Sequence, residues 1–286
     1  MTIYCGIPHG ADAFIKTAHQ LDSPVLVSAN ALWNERNQRF QNFDKLAGLD
    51  VPIALDCGGF VAMARYGRYR WSIQDYVWLA TEMRPAWWSA MDYCCEPEIA
   101  KNRAEVKTRV HRTAFSLAET LAAVIHHNRT LPGWKASAPT PVIQGWKPDD
   151  YIESIRLTDQ VLADPLANEA GMSGPGGWPS LVGLGSVCRR QLSGPDGLFA
   201  ILNRIEEHLP THVKLHLFGV KSKAAELLRD HPRIASTDSM AWNFTARWEA
   251  FDKKMPKNQE FLASHMATWI RKQRCRLENP QLQLEI

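Results

Sequence analysis

The segment Leu55-Asp56-Cys57-Gly58-Gly59-Phe60 sets a carboxylate at the end of an apolar run, Val51-Pro52-Ile53-Ala54-Leu55, and follows it with two glycines. A buried strand that ends this way brings bare backbone against a ligand, beside a group able to move a proton. The pattern recurs at Ala90-Met91-Asp92 and at Ile234-Ala235-Ser236-Thr237-Asp238. Brought to one mouth and partly desolvated, Asp56, Asp92 and Asp238 have the chemistry of a nucleophile, a general acid/base and a hydrogen-bond acceptor. Helix capping, which Asp does well, accounts for any one of them more readily than for all three together. Other apolar runs end in Gln144-Gly145 and in Gly183-Leu184-Gly185. An amide and unobstructed backbone N–H groups beside a carboxylate match the donor and acceptor edge of a purine. Glycines at strand ends are also simple turn formers.

Eight strands are expected to position these groups: residues 2–6, 24–28, 51–56, 86–92, 140–145, 181–186, 213–219 and 234–238. Between several of them lie helical patterns. Residues 102–127 carry an apolar stripe at Val106, Val110, Ala114, Leu117, Leu121 and Val124, and 149–163 begins with acids behind Pro148. Residues 197–208 and 222–229 are shorter versions. Alternation of strand and helix argues for a parallel α/β sheet with right-handed crossovers. Eight strands whose C-terminal ends carry the polar groups are the arrangement of a TIM-like (β/α)8 barrel. One domain over 1–286 is expected, with 242–286 a helical C-terminal extension. The glycine-rich stretch 171–179 lacks the Lys-Ser/Thr of a phosphate-binding loop and reads as a mobile connection.

The 286 residues are 45% hydrophobic, and 33 Lys plus Arg stand against 30 Asp plus Glu for a net charge of +3. That balance does not by itself identify a nucleic-acid partner. No run has the length of a membrane span and no signal-peptide pattern opens the chain, so a cytoplasmic protein without a membrane partner is expected. Six cysteines without a CxxC pair fit a reducing compartment and give no zinc spacing. Neither a metal nor a cofactor is expected.

The ordered set Asp-Cys-Gly-Gly-Phe, Met-Asp-Tyr-Cys, Val-Ile-Gln-Gly, Gly-Leu-Gly-Ser, Leu-Phe-Gly-Val and Thr-Asp-Ser, spread from about residue 51 to residue 247, resembles the tRNA-guanine transglycosylase superfamily. Its members are barrels that exchange guanine for a 7-deazaguanine base. The resemblance implies that Asp238 is the nucleophile of a covalent glycosyl-enzyme and that Asp56 is the acid/base. It implies that Asp92, with Cys94, reads the N1 and exocyclic amino edge of the base. Gln144, Gly145, Gly183 and Gly185 would hold the oxygen side, and Phe218 would pack on the ring. Arg247 stands where the family has a phosphate-binding arginine.

The chain departs from the tRNA enzymes after the nucleophile. Their Cys-x-Cys-x-x-Cys…His zinc site has no counterpart, since Cys275 and His265 are the only such residues beyond Asp238. A compact zinc-free barrel is more similar to the phage and bacterial DNA 7-deazaguanine transglycosylases of the DpdA type. The partners this implies are DNA and a free base such as preQ0. The same exchange on tRNA, a non-catalytic nucleic-acid-binding barrel and an unrelated glycoside hydrolase are the other readings. The resemblance also allows a homodimer, and a host cytoplasm if the protein is phage-encoded. Arg65, Arg68, Arg70, Arg189, Arg190, Lys221 and Lys223 fall just past strand ends, where they would ring the mouth and meet phosphates. Trp71, Trp146 and Trp242 lie near the same rim, although most of the 11 tryptophans are better read as core.

Overall fold

Strand-forming runs of β-branched and aliphatic residues at all eight expected places become strands in a computed structural model, which describes residues 1–47, 49–188, 190–220 and 222–278. These are β1 (Thr2–Ile7), β2 (Val25–Ser28), β5 (Ile53–Asp56), β6 (Trp87–Trp88), β7 (Val142–Ile143), β8 (Leu181–Leu184), β9 (Lys214–Leu217) and β10 (Ile234–Ser239). They form one sheet in the order β6-β5-β2-β1-β10-β9-β8-β7, and every pairing in it is parallel. A parallel bridge between Ser89 and Thr140 joins the segments at the two ends of that order. It is held by Ala90 N–H donating to Thr140 O at 2.8 Å and Thr140 N–H donating to Trp88 O at 2.7 Å.

The period of two along the strands sorts side chains to the two faces of the sheet. Val25, Val27, Ile53, Leu55, Leu215 and Leu217 belong to the main core under the helices. The alternate residues Tyr4, Leu26 and Ala54 cluster with Trp87 on the other face, where His216 packs against Trp87 with ring centroids 4.6 Å apart. Parallel strands buried on both faces are what this near-continuous apolar patterning requires.

The expected helices form as α4 (Arg103–Thr130), α5 (Pro148–Leu162), α7 (Leu198–Glu206) and α8 (Ser222–Leu228). Asn102 caps α4 by accepting Glu105 N–H, and Pro148 sits at the first turn of α5. The expected helical tail is two helices, α9 (Ala241–Asp252) and α10 (Gln259–Glu278). Pro256 lies in the break, and residues 279–286 of that expectation lie outside the described residues. Within this extension α10 packs on α9, α1 (Asp12–Gln20) and β1.

Elements not expected from the sequence also form: α1, α2 (Gly59–Tyr66), α3 (Ile73–Met83), α6 (Pro165–Glu169) and a short hairpin of β3 (Trp33–Asn34) with β4 (Arg39–Phe40). The stretch 171–179 is anchored at two points, buried Met172 and Trp178. Trp178 within it is buried, and its Nε1 donates to Asp159 Oδ1 on α5 at 3.0 Å. Among the described residues no helix is long and apolar enough to cross a membrane.

Candidate active site

The C-terminal ends of β2, β5, β8, β9 and β10, together with the segments that follow β6 and β7, converge on one cavity of about 200 Å³. Its lining includes Asp56, Asp92, Cys94, Glu96, Gln144, Gly185, Phe218 and Asp238. Asp56 ends β5 and is followed by a turn that only glycine permits. Gly58 has φ +74°, and a Cβ there would collide with the Asn30 amide, whose Nδ2 donates to Gly58 O at 2.7 Å. At Gly59 a Cβ would lie 2.5 Å from Asp92 Oδ1. The glycine pair is therefore what lets α2 start against the Asp92 carboxylate. Burial, reinforced by the neighbouring charge of Asp92, pushes the Asp56 carboxyl up to about 7. Asp56 can thus hold a proton near neutral pH and give it up.

Asp92 sits in a different environment. Cys57 Sγ–H donates to its Oδ1 at 2.8 Å, and Gln144 Nε2 donates to its Oδ2. Tyr69 braces the backbone here, its hydroxyl donating to Asp92 O at 2.5 Å while accepting Asp92 N–H at 3.0 Å. Burial raises the Asp92 carboxyl, and the Cys57 and Gln144 donors oppose that rise. Both oxygens accept, so the group is arranged as a carboxylate with lone pairs left for a ligand's N–H groups.

The network continues from Gln144 to Ser186 and Glu96. Ser186 Oγ lies 2.6 Å from Gln144 Oε1 and 2.8 Å from Glu96 Oε2, and it accepts Cys95 N–H at 2.7 Å. One hydroxyl hydrogen cannot serve two acceptors. All three contacts are satisfied when Glu96 keeps its proton and donates to Ser186, which then donates to Gln144 Oε1. Burial also drives the Glu96 carboxyl upward. The chain of donors thus runs one way, Glu96 to Ser186 to Gln144 to Asp92, and fixes which end of the Gln144 amide faces Asp92. Ser186 is held with φ +54°, a left-handed backbone uncommon for serine, and its strain is stored at this wall of the cavity.

Asp238, on β10, is held from the opposite side. Gly219, at φ +67°, turns its N–H onto Asp238 Oδ1 at 2.8 Å. His216 Nε2 lies 3.3 Å from the same oxygen. Phe218 lies over Gly183, where a Cβ would come 2.5 Å from the ring edge. Gly183 therefore makes room for the phenyl ring without lining the cavity itself. Gly145 packs against Asp150 and Tyr151 at the start of α5, away from the cavity lining. Phe60 and Ser186, members of the Asp-Cys-Gly-Gly-Phe and Gly-Leu-Gly-Ser motifs, line the cavity as well, and Leu26, Val61, Glu96 and Cys188 join them without a signal in the sequence. Ser186 closes the Gly-Leu-Gly-Ser motif and Glu96 stands two residues past Cys94, but nothing in their types marks them for this hydrogen-bond chain.

A family model described as DeoxyPurine in DNA protein A, DpdA, matches residues 13–283. The chain belongs to the DpdA family. DpdA proteins form the DNA 7-deazaguanine transglycosylase family, so in general terms the chain is assigned DNA guanine transglycosylase chemistry with DNA as the partner. Among curated proteins none matches the chain.

Around the DpdA cavity the expected basic residues divide. Arg65, on the last turn of α2, and Arg68 are exposed, and exposed Arg247 on α9 donates Nε–H to Asn243 Oδ1 at 3.0 Å. Arg70 pairs with Glu35 at 2.8 Å. Arg190 is engaged internally: its guanidinium donates to Ser186 O, Trp146 O at 2.8 Å and Asp196 O at 2.6 Å, and it stacks over the Trp146 ring. It ties the loop after β8 to the segment after β7 and has little left for a phosphate. Lys223 is exposed on α8. Arg189 and Lys221 lie outside the described residues. Trp71 and Trp242 are buried, the latter donating Nε1–H to Gly6 O at 2.9 Å.

Proposed function

We propose that this protein exchanges guanine in DNA for a preQ0-like 7-deazaguanine base through a covalent intermediate on Asp238. The observation that carries this reading is the different setting of three carboxylates around one cavity: Asp56 poised near 7, Asp92 arranged to accept, and Asp238 fixed through one oxygen. The cavity is smaller than the roughly 300 Å³ at which sites for drug-sized ligands begin, a size suited to a single base.

In the first step Asp238 Oδ2 bonds to C1′ of the target nucleotide as the bond from C1′ to the guanine nitrogen breaks. The electron pair leaves with guanine, which takes the proton of Asp56. In the second step the incoming base loses its ring N–H proton to Asp56 and its nitrogen bonds to C1′, and the Asp238 carboxylate is released. Two modest displacements replace one difficult one, as in retaining glycosidases. Asp92 accepts from the donor edge of the base and Gln144 assists it, while Phe218 and the half-exposed Phe60 supply flat apolar contacts. The target base must be turned out of its stack to enter, at about a few kcal/mol. Arg65, Arg68 and Arg247 are the side chains we assign to the DNA phosphates, a reading supported by their exposure. We also infer that the sheet closes as a (β/α)8 barrel through the Ser89–Thr140 bridge, which puts all these groups at one mouth.

Covalent trapping tests this. The protein is incubated with guanine-containing duplex DNA, single-stranded DNA or tRNA, with and without a 7-deazaguanine base, and run on denaturing gels. A DNA adduct present in the wild type and lost in Asp238→Ala is the expected result. An adduct formed only with tRNA overturns the DNA reading, and an adduct that survives Asp238→Ala overturns the nucleophile.

A further inference from the structure

His216 is fully buried beside Asp238, yet the chemistry above leaves it without a role. It stands in a box of aromatic rings, with Trp87, Phe218 and Tyr4 at centroid distances of 4.6, 4.7 and 5.9 Å. Its Nδ1 is 2.8 Å from Ser236 Oγ. Its Nε2 is buried without a hydrogen bond and lies 3.3 Å from Asp238 Oδ1. Ser236 Oγ has no other hydrogen-bond partner among the described residues, so its hydrogen belongs on Nδ1 and the ring proton on Nε2, facing Asp238. The opposite tautomer would set a lone pair against a carboxylate oxygen and strand the hydroxyl hydrogen in a buried site.

We propose that His216 is a positioning residue that acts through Asp238 and favours the release half of the exchange. This rests on the glycosyl-enzyme reading above. Gly219 N–H donates to Oδ1, His216 Nε2 lies 3.3 Å from the same oxygen without yet making a hydrogen bond to it, and Oδ2 carries no hydrogen bond among the described residues. The carboxylate is thereby oriented with Oδ2 as the attacking atom. The same donors act unequally on the two steps. When Oδ2 bonds to C1′ the carboxylate becomes an ester, and donors aimed at it lose their charged partner. When the incoming base displaces it, the electron pair of the Oδ2–C1′ bond returns to Asp238 and the charge reappears opposite Nε2–H. Hydrogen bonds to ionised acceptors are about twice as strong as neutral ones, so the donor lowers the barrier of the second step and slightly opposes the first.

The test separates the two steps in the full-length protein. Adduct formation is timed with a guanine-containing DNA oligonucleotide alone, and adduct loss is timed after adding 7-cyano-7-deazaguanine. His216→Phe fills the aromatic box and removes the donor. Release is expected to slow about tenfold or more while formation changes less than about threefold, so the adduct accumulates during turnover. His216→Gln, which restores an N–H donor, is expected to recover part of the release rate. A merely structural histidine would lower both rates by the same factor and leave the adduct fraction unchanged, which overturns the proposal. If His216→Phe does not fold, as judged by its thermal melt, Ser236→Ala takes its place. That change frees the tautomer and is expected to slow release selectively; an unchanged partition there overturns the proposal equally. Failure of the wild type to form any adduct removes the glycosyl-enzyme reading itself. An adduct in the wild type with unchanged partition in the variants removes only the role of His216.

Discussion

Asp56→Asn is expected to make the protein more stable while abolishing exchange, and the size of the gain follows from the site. The Asp56 carboxyl has its folded value pushed from 3.8 to about 7, mainly by burial and next by Asp92. From about pH 4 to 7 the folded state therefore holds a proton that the unfolded state has lost. Stability falls as pH rises through this window, at about 1.4 kcal/mol per pH unit for this one group. Across the window the loss reaches about 4 kcal/mol, an upper end because the carboxyl borders a cavity open to water. Above the folded value the loss is complete and the curve is flat again. Asparagine carries no such proton. The variant should match the wild type near pH 4 and exceed it by up to about 4 kcal/mol at pH 8, on the order of 10 °C in melting midpoint.

Urea unfolding of both proteins between pH 4 and pH 9 measures the difference directly. Subtracting one curve from the other cancels carboxyls common to both, including Glu96, apart from relief of the repulsion between Asp56 and Asp92. Parallel curves would refute the argument, because they would mean that Asp56 is charged at no cost in the folded protein. A variant less stable than wild type at pH 8 would refute it as well, showing that the carboxylate gains more from its backbone contact at Gly58 than burial costs it.

Two further variants address the walls and the rim. Glu96→Gln keeps an N–H donor toward Ser186 and should retain base binding, whereas Glu96→Ala removes that donor, leaves the buried Ser186 oxygen one partner short and should weaken binding by about 1–3 kcal/mol, read by titration calorimetry with the free base. Equal losses in the two variants would show that the direction of donation does not matter. Arg190→Ala should destabilise the fold by about 2–4 kcal/mol through the carbonyls it leaves unpaired, without changing the salt dependence of DNA binding. Arg65→Ala with Arg68→Ala should do the reverse, leaving the melt unchanged and lowering the slope of log affinity against log salt by about 2.

What was legible in the sequence was the set of strand ends. Apolar runs of four to six residues, most of them closed by Asp or Gly, are readable without tertiary context, and strands form at all eight places where such runs stand. Asp56, Asp92, Gln144, Gly185, Phe218 and Asp238 line one cavity for the same reason. Of the helices not expected from the sequence, α3 does carry readable signals, a Ser72/Asp75 capping box and buried Tyr76, Val77, Ala80 and Met83 on one face; α2 does not. α2 opens with glycine, and its start is fixed by the tertiary fit of Gly59 against Asp92. The rim was the least legible part, because a basic side chain past a strand end reads the same whether it meets solvent, phosphate or its own backbone. Arg190 has the last of these fates, and only the loops around Ser186, Trp146 and Asp196 decide it.

His216 and Ser186 illustrate a further limit, since neither the strand around His216 nor the Gly-Leu-Gly-Ser motif that ends in Ser186 says which neighbour each one donates to. His216 sits between two leucines in an apolar strand, where a packed ring is the simplest expectation. Its significance comes from β10 lying next to β9 in parallel, which sets Ser236 opposite His216 in register and brings Asp238 to the other ring nitrogen. Ser186 gains its meaning from two acceptors and one hydrogen, a count that requires Glu96 and Gln144 to be in place. In both cases the function of the residue is a direction, toward which neighbour its proton points. Direction is a property of the assembled network: Glu96 and Asp92 are both pushed upward by burial, and only the hydrogen-bond partners around them, Cys57 and Gln144 donating to Asp92 and, among the described residues, Ser186 alone at Glu96 Oε2, set the two acids apart.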